Sequence, residues 1–115
     1  MKILVSVLGL ALTATPALTE TIAPPDAQKY VGKSVTVEGV VTTVHHAVSG
    51  KVTFIDIGGR YPDNAFTGII LGEDAAKFPD VDKLEGKTID ITGTITLYNQ
   101  RPEIILKDAA QIKAK

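Results

Sequence analysis

Six side chains in this 115-residue sequence have the types and spacing of a ligand platform: Lys51, Phe54, Arg60, Tyr61, Tyr98 and Arg101. An aromatic ring on an open sheet face can stack on a base or a sugar, an interaction that contributes about 1–3 kcal/mol per base. Cations beside it contact phosphates. The segment Val52-Thr53-Phe54-Ile55-Asp56-Ile57-Gly58-Gly59 is the centre of this reading. Successive side chains of a strand alternate between faces, so Val52, Phe54 and Asp56 share one face and Thr53, Ile55 and Ile57 the other. With the isoleucines in the core, Phe54 faces outward. The opposite assignment, with Phe54 in the core, stays open on alternation alone.

Catalytic chemistry finds few candidates. There is no cysteine, which excludes a thiol nucleophile, a disulfide scaffold and a Cys-based zinc site. His45 and His46 are adjacent and diverge on a strand, with no third ligand close in sequence, although Asp56 or Glu103 could approach in space. They read as exposed turn histidines, compatible with ligand contact at the mouth of a barrel. Gly-Lys-Ser at 32–34 and Gly-Lys-Thr at 86–88 resemble the end of a phosphate-binding loop. The glycine needed five residues upstream is Ala27 in one case and Val81 in the other, and a strand follows instead of a helix. No nucleophile elbow and no paired-acid signature occur; Asp80 and Asp82 read as solvated turn residues. The sequence thus points to a binding protein, with no catalytic residues, no metal site and no cofactor.

The frame that must hold these side chains is written in a repeat. Residues 32–42 (Gly-Lys-Ser-Val-Thr-Val-Glu-Gly-Val-Val-Thr) and 86–96 (Gly-Lys-Thr-Ile-Asp-Ile-Thr-Gly-Thr-Ile-Thr) each give a turn, then alternating β-branched residues with an interior glycine. That pattern predicts a half-buried strand with a sharp bend. Strands are expected from Ser34 to His45, with Val35, Val37 and Val41 inward and Gly39 at the bend, and over Lys51–Ile57, Phe66–Leu71, Thr88–Tyr98 and Glu103–Lys107. Asp26 is expected to cap one helical turn, Ala27–Val31, plugging the barrel with Tyr30 and Val31. A short helix is expected over Glu73–Phe78. Five strands with a helix between the third and fourth, the first and fourth being long and bent, predict an all-β, five-stranded Greek-key OB-fold barrel.

Residues 1–17 carry the order of an export signal: Lys2, an apolar run from Ile3 to Leu12, then Thr15-Pro16-Ala17. The run is too short for a stable membrane anchor. Residues 18–31 form a leader and short helix, and 32–115 the OB-fold domain. Cleavage near Ala17 implies a periplasmic or secreted protein without stable membrane insertion. Removing Lys2 leaves 11 Lys+Arg against 13 Asp+Glu, a net charge of −2. Non-specific nucleic-acid binders carry a positive excess, so phosphate contact here needs a local patch.

Phe54-Ile55-Asp56-Ile57 followed by glycine resembles the second strand of OB-fold nucleic-acid-binding modules, including the anticodon-binding domains of class II aminoacyl-tRNA synthetases. Gly32-Lys33, the Phe54 run, Tyr61-Pro62 and Arg101-Pro102-Glu103-Ile104-Ile105-Leu106 resemble small exported bacterial OB-like modules, some of them found beside nuclease domains. The resemblance implies that Phe54 lies on the binding face. Gly58-Gly59-Arg60 departs from the arginine and charged turn of the tRNA-binding domains. The expected partner is single-stranded nucleic acid or a nucleotide, held on the face of the second and third strands and the loops beside it. The alternative is an envelope protein or an oligosaccharide.

Overall fold

The computed structural model describes residues 19–115; the expected signal at 1–17, together with Leu18 of the leader, lies outside the described residues. The described protein is all-β with short 3₁₀ turns. Eight strands form one sheet: β1 (Thr21–Ile22), β2 (Ser34–His46), β3 (Val52–Ile57), β4 (Phe66–Leu71), β5 (Thr88–Thr94), β6 (Thr96–Tyr98), β7 (Arg101–Leu106) and β8 (Ile112–Ala114). Their order is β6-β7-β4-β3-β2-β5-β8, with β1 added in parallel to β2. The β4–β7 pair is parallel and the other pairs along the path are antiparallel.

The two copies of the repeat become β2 and β5 and pair with each other. Val37 lies opposite Ile91, its own counterpart in the second copy, within a ladder from Ser34↔Thr94 to Val40↔Thr88. The flanking turns repeat this symmetry. Gly32 N–H donates to the Ile95 carbonyl (2.8 Å) and Ile95 N–H to the Lys33 carbonyl (3.0 Å). In the other copy Gly86 N–H donates to the Val41 carbonyl (2.8 Å) and Val41 N–H to the Lys87 carbonyl (2.9 Å). Gly32 (φ 86°) and Gly86 (φ 83°) sit in the left-handed region, which costs a residue with a Cβ roughly 1–2 kcal/mol.

The interior glycines have a different reason. A Cβ on Gly39 would lie 2.6 Å from both Ile57 Cγ2 and Pro24 Cγ, and one on Gly93 would lie 2.7 Å from Ile104 Cγ2. Each bend brings side chains of the opposite wall against bare backbone. Between those walls Val37, Val41, Ile55, Ile57, Ile89, Ile91, Ile95 and Ile104 are fully buried in a β-branched core.

Several expectations need correction. The single strand expected over Thr88–Tyr98 is two, β5 and β6, separated at the fully buried Ile95. The backbone of Ile95 is bonded to the Gly32-Lys33 turn, and the chain there leaves β2 as its partner and joins β7. The first helical turn is a 3₁₀ helix, Pro24–Tyr30, that starts on proline and not on an Asp26 cap. Proline's fixed φ suits a first turn. Pro24 and Ala27 are buried and Tyr30 packs partly against the core, whereas Val31 is exposed and plugs nothing. The helix expected over Glu73–Phe78 is a 3₁₀ helix at Gly72–Lys77, followed by another at Val81–Leu84. Strands β1 and β8 were too short to show a period in the sequence.

Substituting Gly39→Ala or Gly93→Ala is expected to lower unfolding free energy by about 1–3 kcal/mol through overpacking, read by denaturant titration. Val48→Ala, at a fully exposed turn position, should stay within about 0.5 kcal/mol of the parent.

Candidate functional site

One extra residue in β2 decides what faces outward. The β2–β3 ladder runs Val41↔Ile57, then Thr43↔Asp56, so Thr42 is a bulge. Its hydroxyl accepts a hydrogen bond from Gly59 N–H at 3.1 Å. A bulge reverses the alternation beyond it. Val41 and Val44 therefore both reach the core, and His45, which an unbroken alternation from Val41 would send inward, turns out. There it lies opposite Phe54, with ring centroids 4.8 Å apart and planes 19° from parallel.

Strand register builds two rungs across this outer face. Phe54 aligns with Ile69 on β4, and the next outward rung is Asp56, Thr67 and Glu103 on β3, β4 and β7. Tyr61 rises from the β3–β4 loop, and Tyr98, Asn99 and Arg101 from the β6–β7 turn. Together with His45 they enclose a cup of about 370 Å³. Its floor is half apolar and half acidic. Its rim tyrosines, Tyr61 and Tyr98, are 67% and 65% exposed.

Arg101 is the cation of the cup and is already engaged. Its Nη1 donates to the Pro62 carbonyl (2.8 Å), its Nη2 to Asn64 Oδ1 (2.7 Å), and the guanidinium lies 5.2 Å from the Tyr61 ring centroid. Buried Asn64 donates onward to the Phe66 carbonyl (2.9 Å) and Thr67 Oγ1 (2.7 Å). This chain of bonds fixes the β3–β4 loop to both β4 and β7.

The carboxyls feel burial most. Asp56 is 2% exposed, with Oδ2 3.1 Å from His45 Nε2. Burial pushes its carboxyl above the ordinary value, and His45 and then Arg101 pull it partway back. Burial also pushes Glu103 up, against the pull of Arg101. His46 diverges from His45: Nδ1 is 2.9 Å from Thr53 Oγ1 and Nε2 is 2.8 Å from Asp82 Oδ1. Both histidines belong to β2, not to the turn, and Asp82, solvated as expected, also pairs with His46. No group of three or more potential metal ligands occurs among the described residues.

Four of the six expected site residues, Phe54, Tyr61, Tyr98 and Arg101, meet in the cup. Phe54 takes the outward position, because Ile55 and Ile57 are fully buried on the other face. Lys51 and Arg60 are exposed and do not line it. Arg101, expected as a phosphate contact, also ties the loop through two of its five N–H donors. His45, Asp56, Thr67, Ile69, Asn99 and Glu103 complete the lining without having been selected as site residues. Alternation already placed Asp56 beside Phe54; the bulge and the register to β7 left no mark in the sequence.

No family model matches the chain, and no curated protein matches it. Among solved structures it is similar to a protein assigned as an aspartyl-tRNA synthetase of Leishmania major Friedlin, with TM-score 0.58 and 15% identity over 93% of this chain. The chain spans 22% of that protein's length. It is also similar to an OBody bound to hen egg-white lysozyme, with TM-score 0.64 and 16% identity over 88% of this chain and 98% of the other. These likenesses establish a shared OB-like fold.

A carboxyl whose folded value is raised favours the folded state at low pH and loses that contribution as pH rises through the raised value. Glu103→Gln is therefore expected to raise the melting temperature at neutral pH. The gain should vanish as pH falls towards the ordinary glutamate value of 4.5. Thermal melts across that range check it; a gain independent of pH would contradict burial as the cause.

Proposed function

We propose that this chain is a five-stranded Greek-key OB barrel acting as a binding module and not as an enzyme, which takes single-stranded nucleic acid or a nucleotide in the cup. The barrel reading is supported by the run 88–98, which supplies β5 towards one end of the sheet order and β6 at the other. Strands β2, β3, β4, β5–β6 and β7 then correspond to the five barrel strands, with 3₁₀ turns between the third and fourth. The observation that carries the binding reading is the Phe54 ring, backed by His45 and framed by Tyr61 and Tyr98 on one open face. The cup's volume falls within the roughly 300–1,000 Å³ of small-ligand sites. The solved likeness to a chain assigned as an aspartyl-tRNA synthetase agrees with a nucleic-acid ligand. The charge-apolar-small order of residues 1–17 supports a periplasmic or secreted location. Among the described residues no helix is long and apolar enough to cross a membrane.

Because Arg101 is engaged, stacking supplies most of the affinity, with Lys51 and Arg60 as outlying phosphate contacts. Affinity for a labelled single-stranded oligonucleotide should fall only shallowly with salt, with a log–log slope of about −0.7 to −1.4 for one or two phosphates. Phe54→Ala should weaken binding roughly tenfold to a hundredfold. Absence of binding at low salt, or indifference to Phe54→Ala, would overturn the proposal.

The acidic balance and the engaged arginine favour one second reading, an envelope protein or oligosaccharide on the same face. A single stable partner recovered from periplasmic extract, free of nucleic acid, would replace the first reading with it.

A further inference from the structure

The rim of the cup carries the Tyr61 and Tyr98 hydroxyls, the Asn99 amide and Arg101, whereas the polar rung of its floor is acidic, and that limits what can lie against the floor. At the polar rung Asp56 and Glu103 present carboxyl oxygens. The Glu103 side chain has no hydrogen-bond or ion-pair partner among the described residues; its backbone is held in the sheet between β4 and β6, with its carbonyl also accepting from the Thr96 hydroxyl. Thr67 Oγ1 accepts from Asn64, and two nitrogens of the Arg101 guanidinium donate to the loop. His45 Nε2 faces Asp56. A ligand therefore meets apolar surface at Phe54 and Ile69 and, one rung away, the Asp56 carboxyl paired with His45 and the Glu103 carboxyl that has no partner among the described residues.

Spacing turns this into a shape. Consecutive residues on one face of a strand are about 6.8 Å apart, and adjacent strands about 4.8 Å. A flat heterocycle stacked over the Phe54–Ile69 rung thus directs one edge at the Asp56–Glu103 rung. An ionised carboxylate accepts two hydrogen bonds side by side. Guanine offers two adjacent N–H donors, at N1 and N2. Adenine and cytosine offer an amino group beside a ring acceptor. Uracil and thymine offer a single N–H between two carbonyl oxygens, whose lone pairs oppose an approaching carboxylate.

We infer that the cup selects bases by their donor edge, guanine first and uracil or thymine last, with Glu103 and Asp56 as the reading groups. This rests on the nucleotide-binding reading above and adds a ligand preference to it. A site of partly and fully buried acceptors discriminates by what it leaves unpaired, and a well-matched pair separates right from wrong base by roughly tenfold or more.

The test is titration of the full chain with GMP, IMP, AMP, CMP and UMP at neutral pH, beside the oligonucleotide titration. GMP should bind tightest, UMP roughly tenfold or more weaker, and IMP, which lacks only the amino group, between them. Glu103→Gln should bring GMP and UMP together while keeping their sensitivity to Phe54→Ala, and Asp56→Asn serves as the second reading-group variant. Melting curves of both variants show that they are folded. Equal affinity for GMP and UMP in the parent, or a preference for UMP, overturns the inference and leaves the stacking reading standing. Failure of every nucleotide and of the oligonucleotide to bind overturns both.

Discussion

The antiparallel pairing of the two repeat copies, centred on Val37 opposite Ile91, is the constraint from which the rest of the structure follows. Two strands of similar sequence, joined about a local two-fold, put each copy's turn against the other copy's inward residue at Val41 or Ile95. The backbone N–H groups of buried Val41 and Ile95 are thereby satisfied without side-chain help. The same pairing brings Gly39 and Gly93 under opposite walls, where only a missing Cβ permits contact. The frame is thus closely determined while its outer face is left free to vary.

The site occupies the part of the sheet that the two-fold does not govern. Past Val41 the first copy continues into a bulge, β3 pairs on, and the symmetry is lost. That single inserted residue, Thr42, converts His45 from a core position into the back of an aromatic stack. The Arg101–Asn64 bonds then tie the β3–β4 loop to β7, so Tyr61 and Tyr98 face the same space. A sheet positions the floor of the cup and one arginine positions its rim.

This division explains what could be read from the sequence. The repeat, the shared face of Val52, Phe54 and Asp56 and the third strand at Phe66–Leu71 rest on period-two patterning, which is local; which face points outward was decided only by the burial of Ile55 and Ile57. The split at Ile95 and the bulge at Thr42 arise from hydrogen bonds to segments distant in sequence, at Gly32-Lys33 and Gly59, and patterning carries no trace of them. The alignment of Asp56 with Glu103 needs two successive strand registers, which the sequence alone does not supply. Arg101 was chosen for its charge; its role as a loop tie depends on Asn64 and Pro62, which composition alone presents as turn residues.

The two carboxyls of the cup floor add nothing to stability that an apolar pair could not. Ionised groups removed from water destabilise a fold unless closely paired, and apolar replacements of similar volume are often as stable or more so. Asp56 has His45 as a neighbour, and Arg101 acts on both acids through space while its Nη atoms bond the loop. The Glu103 carboxyl, without a side-chain partner among the described residues, lies one rung from the apolar bed of Phe54 and Ile69. On the proposed reading an incoming N–H donor would supply the missing partner, and the partial burial that raises the carboxyl would strengthen the bond once formed.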